Sequence, residues 1–209
     1  MTGARRVPRD GRRAPRRRPA PARAAWESLS AEIRACRRCP LGATRTHAVV
    51  YRGSLTPEVL FVGEAPGAEE DRQGVPFVGR AGRRLDEAIR FLGLPEGTVG
   101  ILNVLKCRPP HNRFDRAAAR TCRPYLDRQL DLLRPRLIVT LGAHALRTLD
   151  PSAPPVLQSA GTLRAGPAGP IFPLIHPAAA LRSRRWGERW VHDLTALRTW
   201  RAGRAREAL

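Results

Sequence analysis

Four short apolar runs, separated by stretches of helical periodicity, constrain this chain more tightly than any other feature. Glu58–Val62, Val99–Val104, Leu137–Leu141 and Ile171–Ile175 are rich in β-branched residues and have the length of buried strands. Between them, Gly79 to Leu92 puts Leu85, Ala88, Ile89 and Leu92 on one helical face. Asp115 to Leu133 reads as a second helix, with Pro124 requiring a kink or a restart, and a third runs from Gly142 through Leu149. Trp26 to Arg38 and Trp186 to Arg201 read as flanking amphipathic helices, with a Pro/Ala/Gly-rich loop over 150–170. Strands alternating with helices give an α/β fold: a mostly parallel, four-stranded sheet with helices on both faces.

The strand exits carry the chemistry. Val59–Val62 ends in Gly63-Glu64-Ala65-Pro66-Gly67, followed by Glu69, Glu70, Asp71 and Phe77. In open α/β sheets, ligands bind just past the carboxyl ends of strands. The acidic loop taken alone fits a solvated turn equally well. However, Glu64, Asn103 and His176 all stand at strand exits, and three such groups converge on one crevice. His144 and His192 fall within helices and read as surface or capping residues.

The chain has 209 residues, enough for one domain over 26–201 with tails over 1–25 and 202–209. Lys and Arg number 38 against 18 Asp and Glu, a net charge of +20 that favours a polyanionic partner. Lys106 is the only lysine, so this Arg bias partly reflects a GC-rich genome. The 1–25 segment sets nine arginines against Asp10 alone and is expected to be disordered, a nucleic-acid arm or a dispensable tail. It has no apolar core of a signal peptide, and no run is long enough for a membrane span, so a cytoplasmic protein is expected.

The four cysteines are Cys36, Cys39, Cys107 and Cys122. Cys36-x-x-Cys39 has the spacing shared by zinc and iron–sulfur sites, and also suits a redox pair. Fourteen residues separate Cys107 from Cys122, so this is no ordinary zinc ribbon, and the irregular spacing favours one 4Fe–4S site.

Several motifs resemble the family 4, iron–sulfur uracil-DNA glycosylases: Gly63-Glu64-Ala65-Pro66-Gly67, Glu70-Asp71, Gly74-x-Pro76-Phe77-Val78-Gly79, Asn103-Val104-x-Lys106-Cys107-Arg108-Pro109-Pro110, Asn112-Arg113 and His176-Pro177-Ala178. The resemblance runs in motif order from about Cys36 to Trp200. It implies a three-layer α/β/α sandwich and hydrolysis of the N-glycosidic bond of deoxyuridine in DNA. It also implies catalysis by Glu64 and His176, and a uracil pocket of Gly63, Glu70, Phe77 and Asn103. Phe77 would stack on the flipped base, Asn103 read its O4/N3 edge, and His176 bond the developing charge on O2. In the better-studied glycosylase families an Asp stands where this chain has Ala65, so Glu64 has no fixed step. Leu181 or Arg182 would wedge into the vacated base position, and Cys36, Cys39, Cys107 and Cys122 would ligate a 4Fe–4S cluster of structural role.

Two departures stand out. His111–Arg116 lacks the Pro/Glu-rich helix start usual before the fourth cysteine, and Ala180 replaces a bulky Leu beside the wedge. The expected partner is uracil-containing DNA, single- or double-stranded, acted on by a monomer. The alternatives are a protein that traps uracil-DNA without turnover and a zinc-dependent nucleic-acid module.

Overall fold

The computed structural model describes residues 23–207. The expected tail over 1–25 lies outside them apart from Arg23–Ala25, which begin the first helix. In chain order the elements are α1 (Arg23–Ala35), α2 (Leu41–Thr44), β1 (Arg52–Gly53), β2 (Val59–Gly63), α3 (Ala68–Gln73), α4 (Arg80–Phe91), β3 (Val99–Asn103), α5 (Arg116–Leu133), β4 (Leu137–Leu141), α6 (Ala143–Leu149), α7 (Val156–Ser159), β5 (Arg164–Gly166), β6 (Gly169–Leu174), α8 (Pro177–Ala180) and α9 (Arg184–Glu207).

The strands form one sheet in the order β1-β3-β2-β4-β6-β5. The inner four, β3, β2, β4 and β6, are parallel and correspond to the four apolar runs. The sheet has six strands rather than the expected four, because β1 and β5 add antiparallel edges. Neither carries a sequence signal. They are two and three residues long and partly exposed, so no apolar alternation marks them. Pro173 is tolerated inside β6 because β5 pairs only as far as Ile171 and leaves its ring no ladder to interrupt.

Alternation along β2 explains the layers. Phe61 points into a core with Leu85 and Ile89 of α4 and Trp190, Leu194 and Leu197 of α9. Leu60 and Val62 point the other way, against Leu126 and Leu130 of α5 and Leu146 of α6. Every residue of β2, β3 and β4 is buried, as expected for a parallel sheet covered on both sides. Helix α1 adds Leu29 and Ile33 to a smaller cluster with Val50 and Tyr125.

Helix α5 starts where Asp115 accepts hydrogen bonds from Ala117 N (2.8 Å) and Ala118 N (2.9 Å), and it runs as one helix through Pro124. Helix α9 continues past the expected end at Arg201 to Glu207. No described helix is long and apolar enough to cross a membrane.

Because Leu60 and Phe61 are both fully buried but serve opposite layers, each tests one of them. Leu60→Ala is expected to cost about 2–5 kcal/mol and Phe61→Ala about 3–5 kcal/mol, read from denaturant unfolding.

Candidate active site

Parallel register sets the polar exits side by side. Gly63 of β2 pairs with Asn103 of β3, so Glu64 leaves the sheet next to Asn103. His176 leaves β6 two strands away, and β4 between them ends in Gly142. A Cβ on Gly142 would lie 3.1 Å from the His176 Cβ, so this exit contributes closeness rather than a side chain. The result is a cavity of about 490 Å³ bordered by Glu64, Glu70, Phe77, Asn103, Asn112 and His176.

Close approach shapes the floor. A Cβ on Gly63 would sit 2.4 Å from Asn103 Oδ1 and 2.5 Å from Phe77 Cζ. Phe77 itself is buried with φ of 56°, a left-handed conformation that costs a non-glycine residue about 1–3 kcal/mol. Its surroundings hold it there. Arg52 Nη1 donates to the Phe77 carbonyl at 2.8 Å while also pairing with Asp86. Glu70 accepts from Val78 N (2.9 Å) and Gly79 N (2.8 Å) with one oxygen and from Gly67 N (3.1 Å) with the other. One carboxylate thus joins the 63–67 turn to the loop carrying Phe77.

Asn103 is almost fully buried, and its Oδ1 has no hydrogen-bond partner among the described residues. A buried orphan acceptor costs about 1–3 kcal/mol, so this atom is set for a donor that arrives with a ligand. His176 Nδ1 accepts from Ala178 N at 3.1 Å, capping α8. Burial, reinforced by Arg182 and opposed by Glu70, pushes its imidazole down to about 4. The ring is therefore neutral at pH 7, and with Nδ1 accepting, its proton sits on Nε2. Burial raises the Glu64 carboxyl above its ordinary value.

A family model described as the uracil DNA glycosylase superfamily matches residues 50–197. The chain belongs to the uracil-DNA glycosylase superfamily. Within it, the chain resembles proteins named type-4 uracil-DNA glycosylases. It is 42% identical to one from Sulfurisphaera tokodaii over 74% of this chain and 75% of that protein. It is 38% identical to another from Archaeoglobus fulgidus over 80% of this chain and 88% of that one. A type-5 uracil-DNA glycosylase from Pyrobaculum aerophilum is 34% identical over 46% of this chain.

In this superfamily member the residues singled out by sequence meet at one place. Glu64, Glu70, Phe77, Asn103, His176 and Arg182 line the cavity, and Gly63 lies against Asn103 and Phe77. Leu181 instead ends α8 with its side chain exposed, outside the lining. Glu70 sits in the wall with both oxygens on backbone amides.

Two contributors fall in the motifs Asn112-Arg113 and Glu70-Asp71, but their placement has no sequence signal of its own. Asn112 reaches the cavity because His111 and Asn112 both take left-handed backbone, which no pattern foretells. Asp71 is buried and accepts from Thr46 N at 3.0 Å, fixing α3 to the segment that follows the first cysteine pair. An acid so close to Glu69 and Glu70 reads in sequence as more of the same exposed loop.

The four cysteines border a second, small cavity with Arg45, Lys106 and Tyr125. Arg45 Nη1 donates to Cys107 Sγ at 2.9 Å, and Arg38 N approaches Cys36 Sγ at 3.5 Å. Burial raises the Cys107 and Cys122 thiols, with Arg45 opposing at Cys107 and Lys106 at Cys122. No trio of His, Cys, Asp or Glu among the described residues closes round a single ion. Four soft donors spread round a cavity, with cationic neighbours to offset thiolate charge, fit a larger group better than one metal ion.

Two outcomes test this geometry. Gly63→Ala should leave a folded protein with a distorted pocket, its activity on deoxyuridine reduced by at least the 10²-fold typical of an ångström-scale misplacement. For His176 the folded value of about 4 lies below the ordinary 6.5, so between those limits only the unfolded chain takes up the proton. Wild type should therefore lose thermal stability relative to His176→Asn as pH falls from 6.5 towards 4. Parallel curves would refute a depressed imidazole.

Proposed function

We propose that this protein is a monofunctional DNA-repair glycosylase. It flips deoxyuridine from DNA and hydrolyses its N-glycosidic bond, releasing uracil and leaving an abasic site. The observation that carries this reading is buried Asn103, with an Oδ1 that has no partner among the described residues, lining the same cavity as a neutral histidine.

A base inside a duplex hides its glycosidic bond, so it must leave the stack to be reached. In the pocket the Phe77 ring stacks on uracil. Asn103 Oδ1 accepts from N3–H, and the amide nitrogen donates to O4. Cytosine would present an acceptor at N3 and a donor at C4, leaving buried groups unpaired, and such mismatches can discriminate by 10⁴–10⁵-fold.

As the N1–C1′ bond breaks, its electron pair stays with uracil and the sugar becomes positive. His176 donates from Nε2 to O2, where negative charge collects, and water completes the exchange at C1′. Glu64 and the DNA phosphates favour the positive sugar. Being neutral, His176 stabilises the anion by a hydrogen bond that needs no protonation near pH 7. Arg182 lines the pocket mouth and, with exposed Leu181, supplies the wedge that fills the vacated position.

Cys36, Cys39, Cys107 and Cys122 hold a 4Fe–4S cluster that, when bound, supplies a cross-link between chain segments. Arg45 extends that link, since it donates to Cys107 Sγ and to the Cys36 carbonyl just before Thr46 and His47 meet Asp71. The enzyme acts as a monomer in the cytoplasm, where cysteines stay reduced, on single- or double-stranded uracil-DNA.

Uracil excision from single-stranded and U·G oligonucleotides, read after alkali on a denaturing gel, tests the proposal. Multiple turnover is expected from a brown preparation, with kcat lowered about 10²–10³-fold in His176→Ala and activity lost in Asn103→Ala. A stable shifted band without turnover would instead mark a uracil-DNA trap. Neither product from folded, brown protein would overturn the assignment.

A further inference from the structure

A second cleft, of about 600 Å³, lies between α5 and α6 beside the pocket. We infer that it holds a neighbouring nucleotide of the uracil-bearing strand, its base against the Phe114–His144 ring stack and its phosphate among Arg116, Arg120 and Arg147. This rests on the glycosylase reading and extends it along the strand.

Three observations support it. Phe114 and His144 stack with centroids 4.2 Å apart and planes at 17°, an aromatic platform bordering an open cleft. Burial, with Arg116 and Arg147 adding to it, lowers the His144 imidazole, so the ring stays neutral and suited to stacking. Aromatic platforms beside cationic grooves are how sequence-tolerant single-strand binding is built.

The arginines converge. Arg116 and Arg120 are one turn apart on α5, and Arg147 is one turn from His144 on α6. No Asp or Glu lines the cleft, and none of the three has an ion-pair partner among the described residues. Some arginines elsewhere do meet carboxylates, as Arg52 meets Asp86 and Arg128 meets Glu32. In this very wall Arg123 is already committed to Asp127 and the Thr148 carbonyl. Exposed arginines of one sign round an apolar-walled cleft attract an anion, and a phosphate is the anion this substrate carries.

Continuity fixes the occupant. Asn112 borders the uracil cavity and Phe114 borders the cleft, so one loop serves both. At most roughly 7 Å of chain separates two such Cα positions, comparable with one nucleotide step of an unstacked strand. Helix α6 also begins at Gly142, which packs on His176. His144, read from sequence as a surface residue, is thereby given a partner.

The test compares Arg120→Ala/Arg147→Ala and His144→Ala with wild type on two substrates: deoxyuridine capped with 3′- and 5′-methyl phosphates, which has no neighbouring nucleotide, and a longer single strand. Removing exposed arginines leaves the fold unchanged, which keeps the double variant decisive even if His144→Ala unfolds. Wild type should gain kcat/KM with the longer strand, and each variant should lose on the order of tenfold of that gain. Anisotropy with a labelled strand bearing an abasic analogue should show the same loss. The double variant should also flatten the slope of log K against log salt by about 0.7, the value for one phosphate no longer neutralised. Equal losses on both substrates, or no loss on either, would overturn the cleft while leaving the glycosylase intact. Failure of wild type to excise from any strand would overturn the enzyme instead, and anisotropy would still decide the cleft.

Discussion

The three hydrogen bonds accepted by Glu70 hold the pocket's two halves in register. The 63–67 turn and the 74–79 loop have no sheet ladder between them, and each would drift on its own. A carboxylate taking backbone N–H groups from Gly67, Val78 and Gly79 makes them one body, and charge-assisted bonds of this kind are about twice as strong as neutral ones. This matters because Phe77 sits between those anchors in left-handed backbone. A strained aromatic persists only where its surroundings over-determine it. Glu70 on one side and Arg52 at its carbonyl on the other provide that constraint.

Sheet topology supplies the rest of the positioning. Asn103 and Glu64 come from adjacent strands, whereas His176 comes from across β4. A side chain at the end of β4 would press against the histidine. Gly142 removes the obstacle, with φ of 93° and no Cβ to meet the His176 side chain. Strand order therefore fixes which exits need chemistry and which need space. The antiparallel edges β1 and β5 lie outside this group; their reach inward is indirect, through Arg52 of β1 to the Phe77 carbonyl and to Asp86 of α4.

What sequence made legible follows from which interactions are local. The inner strands were readable because burial on both faces demands unbroken apolar runs, and α4 because its apolar face repeats at helical spacing. The edge strands were not, since two or three half-exposed residues leave no pattern. At the site, Glu64, Asn103 and His176 were found by their place at strand exits, and Phe77 by motif. Asn112 was missed as a lining residue because its position depends on two successive left-handed residues. The burial of Asp71 went unread because a buried acid differs from its exposed neighbour Glu69 only in what lies above it. His144 was read as surface because helical periodicity says nothing about Phe114, thirty residues away in sequence yet stacked on it.

In the proposed mechanism, specificity and rate arise from two groups kept in states that water would not choose. Asn103 Oδ1 is buried with no partner among the described residues, at a cost of about 1–3 kcal/mol that a correctly placed donor recovers. His176 is held neutral by burial and by Arg182, although a nearby carboxylate, Glu70, pulls the other way. Were Glu70 free to turn towards the ring, it would favour the imidazolium. Its two oxygens are instead occupied by backbone amides, which spend its charge on the loops and weaken its hold on the histidine. The same carboxylate that builds the pocket thus helps leave the neutral imidazole in place. Substituting Glu70 would disturb both shape and protonation, so its loss should not resemble that of any single pocket wall.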